Sequence, residues 1–508
     1  MTRRMPILAV TTLLLVGLTT VPAGAADGSP EGSPGAPGIG DPYFPLDGNG
    51  GYDVRHYDLD VRYDPATDVL TGVATIEARA LQDLSRFDLD FVGLEIRSLT
   101  VDGNDAAWSR DGQELTVTPQ DVLPDGAAFT TVVSYDGVPQ TLGDPLLGIS
   151  GFIHTDDGAI VAGEPAAAAT WFPANDHPRD AASVSVTASV PEGLEAISNG
   201  VLENEETSAG RTTWSWRAEE PMATYLVTLA IGEFDVRERQ AGGIRYWDAL
   251  DPDLFQQPPG VPADSTFGAL ADGALARQPE IIDFLSGNLG PYPFRASGGI
   301  VDDYPELLFA LETQTRPVYS RAFFTDPVGS GLVVVHELAH QWTGDLLRLD
   351  LWQHLWLNEG FASYMEWLWL ERTGVITLPE IYGILTGVPA ADPFWDVMTG
   401  NPGPADLFDV EAVYLRGALT LHALRLEVGD EIFYDILTEW VASQAGGTVT
   451  TDEFIALAEQ ESGRQLDDLF QAWLFTAEKP AGLPDAPPEA AAAARAAADR
   501  LPGSTNSR

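Results

Sequence analysis

The 508-residue chain contains no cysteine and a single lysine, Lys479. Without cysteine it forms no disulfides and carries no lipid on a cysteine at a cleavage site. Arginine therefore supplies almost all the positive charge, and 27 basic residues stand against 76 acidic ones, a formal net charge of −49. Such a surface repels nucleic acid and anionic membranes, so neither is an expected partner. Two readings of the excess acid stay open: a solvated surface suited to salty surroundings, and an acid-rich site for basic substrates. Long apolar runs are scarce as well. The run from Ile7 to Leu18 is too short to cross a bilayer comfortably, and no later stretch is long or apolar enough. Arg3 and Arg4 precede that run and Ala23-Gly24-Ala25 follows it, which is the layout of a secretory signal. Residues 1–25 are thus expected to be removed, leaving a soluble, secreted protein.

What is present is ample apolar material, 44% of the chain, enough for two or three packed domains. Residues 26–50 (ADGSPEGSPGAPGIGDPYFPLDGNG) are rich in Gly, Pro and Ser and predict a flexible leader. From residue 51 the apolar period is two. Tyr57, Leu59, Val61 and Tyr63 alternate with Asp58, Asp60 and Arg62, and Val184, Val186, Ala188 and Val190 repeat the pattern. Short strands divided by turns such as VDGND and RDGQE predict an all-β domain over 51–237. The pattern then turns helical, as in ALTLHALRLEVG and DEIFYDILTEWVASQ, and predicts a mainly helical domain over 238–479. Residues 480–508 are Pro- and Ala-rich and too weakly patterned to hold a helix alone, so a disordered tail is expected. There is no internal repeat.

The chemistry concentrates in VVVHELAHQWTGDLLRLDLWQHLWLNEGFASY, residues 333–364. As a strand, this stretch would hold His336 and His340 about 13 Å apart, beyond the reach of one ion. As a helix it sets them about 6 Å apart along the axis on one face, where both imidazoles can converge on a single zinc. Glu337 lies beside them. A catalytic zinc takes three protein ligands and keeps a fourth position open, so a third donor must come from elsewhere. Glu359, at the start of NEGFASYMEWLWLE, is the candidate, and the neighbouring Gly360 has no side chain to obstruct close helix approach.

With eighteen residues between His340 and Glu359, and LWLNEGFASY around the latter, the sequence resembles the gluzincin aminopeptidases of peptidase family M1, the family of aminopeptidase N and leukotriene hydrolase. The resemblance runs over about residues 50–480. It implies a saddle-like β domain followed by a thermolysin-like, mainly helical catalytic domain, with one zinc per chain held by His336, His340 and Glu359. Upstream, FALETQT occupies the place of the family's Gly-x-Met-Glu-Asn motif, which makes Glu312 a ligand for the substrate's free amine. GEPAAAATWFPANDHPRD maps a second amine-binding acid onto Glu164, and VYLRGALTLHALR maps the catalytic tyrosine onto Tyr414. The resemblance makes Glu337 the general base. Three positions depart from the motif: Phe309 replaces its glycine, Leu311 its methionine and Thr313 its asparagine, which puts backbone contacts to the peptide in question. The chain also stops after the catalytic domain, without the large helical C-terminal domain of many relatives, so a more open cleft is expected. His354 reads as a surface or supporting residue, and His56, His154, His177 and His422 lack ligand spacing.

The function implied is a secreted zinc aminopeptidase whose partners are peptides with a free N-terminus. Open alternatives are a zinc endopeptidase using the same metal site, a zinc epoxide hydrolase by family analogy, and a non-enzymatic peptide-binding protein. The last would have no reason to keep both Glu337 and Tyr414.

Overall fold

The computed structural model describes residues 32–144 and 147–483. The expected signal (1–25), the first residues of the leader and the tail beyond residue 483 lie outside the described residues.

Alternation at period two produces the first large element. An eight-stranded sheet runs in the spatial order Val201–Ser208, Arg211–Met222, Ala182–Pro191, Tyr52–Asp64, Val69–Ala80, Ala128–Gly137, Glu95–Val101 and Asn104–Asp105. Its pairings are antiparallel except for Tyr52–Asp64 against Ala182–Pro191, which is parallel. Tyr57, Leu59, Val61 and Tyr63 are buried on one face while Asp58, Asp60 and Arg62 face water, as the alternation requires. Smaller four- and five-stranded sheets complete the β domain.

Strands continue past residue 237. A mixed sheet orders Asp235–Ala241, Ile244–Leu250, Ala296–Asp302, Val318–Ser320 and Ala310–Leu311 side by side. The helical reading of 238–479 passed over it. Ala296–Asp302 is buried at all seven positions and so shows no alternation, and the last two strands have only three and two residues. The helices of this region are α1 (Phe267–Leu275), α2 (Gln278–Leu289), α3 (Pro327–Ala339), α4 (Trp356–Arg372), α5 (Leu378–Thr386), α6 (Arg416–Val428), α7 (Asp430–Gln444), α8 (Thr451–Ser462) and α9 (Asp467–Leu474), of which α1 and α3 pack on this sheet and α4 packs on α3, α5 and α6. None of the described helices is long and apolar enough to cross a membrane.

The flexible leader expected over 26–50 needs correction from residue 32 onward. This segment is packed against both domains. Asp41 is buried, accepts from the Trp352 amide at 2.8 Å and meets His177 Nε2 at 3.2 Å. Asn49 is buried too, its amide donating to Asn175 Oδ1 at 2.5 Å. Composition indicated only that Pro and Gly make turns here. These partners of Asp41 and Asn49 lie 126 to 311 positions away in the chain, and no local pattern announces them.

Candidate metal centre

Helix α3 forms despite three consecutive valines. Asp326 caps it, accepting from the Val328 and Gly329 amides at 2.9 and 3.0 Å, and Pro327 takes the first turn. Val333, Val334 and Val335 are fully buried, so tertiary packing outweighs their slight preference for strand. His336 sits in the last turn and His340 at the C-cap, with ring centroids 4.8 Å apart. Helix α4 approaches from the side and carries Glu359 in its first turn. A Cβ on Gly360 would stand 2.9 Å from the Gly417 backbone, so this glycine is needed where α4 meets α6.

Each imidazole is oriented from behind. His336 Nδ1 meets Glu366 Oε1 at 2.6 Å and His340 Nδ1 meets the Thr343 carbonyl at 3.0 Å. Both Nε2 atoms are thereby turned toward Glu359 Oε2, at 3.1 Å from His336 and 3.4 Å from His340. Zinc bonds of about 2.1 Å in a tetrahedron place donors roughly 3.4 Å apart, so these separations suit one zinc ion. Among the described residues, His336, His340 and Glu359 are the one group of three such donors close enough to share an ion. Burial disfavours charge on His340, but Glu359 outweighs it and pushes the imidazole up to about 9. Burial would also raise Glu359, yet the two imidazoles hold it down at about 2. A carboxylate ionised this firmly is a competent cation ligand.

The other predicted residues converge here. Glu337 is buried beside the donors, and burial pushes it up to about 8 against the pull of His336 and His340. Tyr414 lies in a π-helical turn, Val410–Leu415, with its ring stacked on His336 at 5.9 Å and 12°. Burial, reinforced by Glu359 and Glu164, holds its phenol well above the usual range, so it stays a donor. Glu164 is buried with Oε1 unpartnered. Burial and then the charge of Glu312 keep it far above the usual carboxylate range. Glu312 follows the edge strand Ala310–Leu311 and accepts from the Tyr225 hydroxyl at 2.8 Å. His354 belongs elsewhere, bonded to Thr451 Oγ1 at 2.9 Å, and His422 pairs with the Tyr364 hydroxyl at 3.1 Å.

Two residues absent from the sequence reading matter here. Glu366 lies two helical turns beyond Glu359 on α4, and a glutamate inside the apolar run FASYMEWLWL was a usable signal. Tyr225, in a short 3-10 turn of the β domain, had no comparable signal.

Known proteins match this chain over both of its domains. Residues 54–226 match the family model of the peptidase M1 N-terminal domain, and residues 328–473 that of the peptidase family M1 domain. The chain belongs to peptidase family M1. Among curated members, it is 26% identical to aminopeptidase M1 of Arabidopsis thaliana over 82% of this chain and 50% of that protein. It is 29% identical to human aminopeptidase N over 53% of this chain and 29% of that protein. The chain thus spans about half the length of the curated relatives it matches, or less. The M1 zinc metallopeptidase of Deinococcus radiodurans superposes with a TM-score of 0.75 at 28% identity, covering 88% of this chain and 99% of that one. A mutant of that enzyme bound to a Tyr-Ser-Ala substrate gives 0.74 at 28% identity, with 86% and 97% coverage. The M1 family carries the expected β domain followed by a mainly helical peptidase domain, and this chain has both.

Proposed function

We propose that this M1 protein is a secreted zinc aminopeptidase that releases single residues from peptides with a free N-terminus. The observation that carries the reading is the pair of buried acids, Glu164 and Glu312, beside the three-donor metal site. Like charges buried together are costly unless a cation joins them, and an α-ammonium group is such a cation. Pairing with it aligns the first peptide bond on the metal donors and leaves no place for residues before it. His336, His340 and Glu359 would hold a zinc ion, which would supply Lewis-acid chemistry for a carbonyl and for water. Glu337 accepts a proton from the attacking water and returns it to the departing amine. Tyr414 donates its hydroxyl to the oxyanion as charge develops. The relatives named as aminopeptidases and the peptide-bound Deinococcus enzyme support the substrate class.

The test compares kcat/KM for one peptide, free and N-acetylated, in the wild type and in Glu312→Ala. Acetylation removes the positive charge and adds bulk at the closed end, so the wild type should strongly favour the free peptide. Glu312→Ala should narrow that gap. Equal wild-type rates on both peptides would replace this reading with an endopeptidase. Secretion rests on the Arg3-Arg4, apolar and Ala-Gly-Ala sequence. Protein recovered from culture medium should begin near residue 26, and an intact Met1 on protein kept inside the cell would refute export.

A further inference from the structure

We propose that Tyr225 is a positioning residue through which the β domain aims Glu312 at the substrate's amine. This rests on the aminopeptidase reading. Glu312 is held at two points. Its own carbonyl accepts from Gln341 Nε2 at 3.0 Å, and Gln341 Oε1 in turn accepts from the Thr315 amide at 2.7 Å. Gln341 directly follows the metal-donor His340, so the residue just past the end of α3 grips the main chain at Glu312 and again three residues beyond it. That grip places the backbone but leaves the carboxylate free to rotate about the side-chain torsions. The Tyr225 hydroxyl, 2.8 Å from Oε1, supplies the missing constraint.

Tyr225 is built to supply it. Its ring is buried and packs edge-on against Trp352 at 5.5 Å, whose amide is pinned by Asp41 at 2.8 Å. The turn carrying Tyr225 is registered on the Glu312 segment by Asn199, whose Nδ2 donates to the Leu226 carbonyl at 2.9 Å and to the Gln314 carbonyl at 2.8 Å. The Gly200 amide adds a bond to Thr315 Oγ1 at 2.7 Å. These contacts set the two segments in fixed register, so the tyrosine reaches one oxygen of Glu312 and leaves the other without its own donor from this residue. A phenol can only donate to an ionised carboxylate, and burial keeps Tyr225 protonated. The bond therefore favours the charged, oriented carboxylate that an ammonium group requires. The β domain then contributes to amine selection twice, directly through Glu164 and indirectly through Tyr225.

A double-mutant cycle on kcat and KM separates positioning from simple packing. Tyr225→Phe keeps the ring against Trp352 and removes only the hydroxyl. It should keep zinc and thermal stability close to wild type, raise KM for the free peptide about tenfold to a hundredfold, as loss of one hydrogen bond to a charged group does, and change kcat little. The preference for free over acetylated peptide should fall in parallel. In the Glu312→Ala background the same substitution should have no further effect, because its target is gone. A Tyr225→Phe enzyme with unchanged preference, while Glu312→Ala reduces it, would overturn this inference and leave the aminopeptidase reading standing. Equal losses from Tyr225→Phe with and without Glu312 would also overturn it, since the effect would then be structural. Failure of Glu312→Ala itself to alter the preference would overturn the use of Glu312 and this inference with it.

Discussion

Glu337→Gln is expected to retain one zinc per chain and to lose roughly two to four powers of ten in kcat, the usual contribution of a positioned acid–base group. The substitution preserves shape, and Glu337 is not one of the three converging donors, whose imidazoles are held from behind by Glu366 and Thr343. Burial pushes this carboxyl up to about 8. A cation held on the adjacent donors favours its ionised form and so readies it to take a proton. An amide in the same place offers no such proton acceptor. Zinc content by atomic absorption, set beside turnover of a free peptide, checks both halves of the expectation. Full activity in this variant would remove Glu337 from the role of base, and loss of zinc would show that it supports the site structurally.

Tyr414→Phe should lower kcat by about two to three powers of ten, the effect of deleting one donor to a developing oxyanion, with much less change in KM. The ring stacked on His336 is preserved, so the donors keep their packing. Only the hydroxyl is lost, and it acts on charge that exists mainly in the transition state. Steady-state kinetics on a free peptide decide the matter. An unchanged kcat would reduce Tyr414 to a packing residue beside the histidines.

Much of the site could be read before any coordinates because helical geometry is local. Two histidines four apart on one helix face can share an ion, whereas the strand alternative for VVVHELAH failed on distance. The resemblance to M1 peptidases then pointed to Glu312, Glu164 and Tyr414, and the fold brings all three around the same donors. Phe309, one of the departures from the motif, is buried, and its carbonyl accepts from the Ser320 amide at 3.1 Å, so at this position the main-chain hydrogen bond is kept inside the sheet.

The sequence by itself determined the local features of the site, because periodicity and short spacing are properties of neighbouring residues. It established the alternating strands, the histidine pair and the acidic composition. Tertiary structure alone decided how those groups are oriented. Glu366 meets His336 across 30 positions, and Tyr225 meets Glu312 across 87. Asn49 meets Asn175 and Asp41 meets Trp352 across 126 and 311 positions. Such hydrogen bonds leave no periodic trace, because each forms only after two distant segments have been brought together by burial of apolar surface, and only then does an unpaired polar group become costly enough to demand its partner.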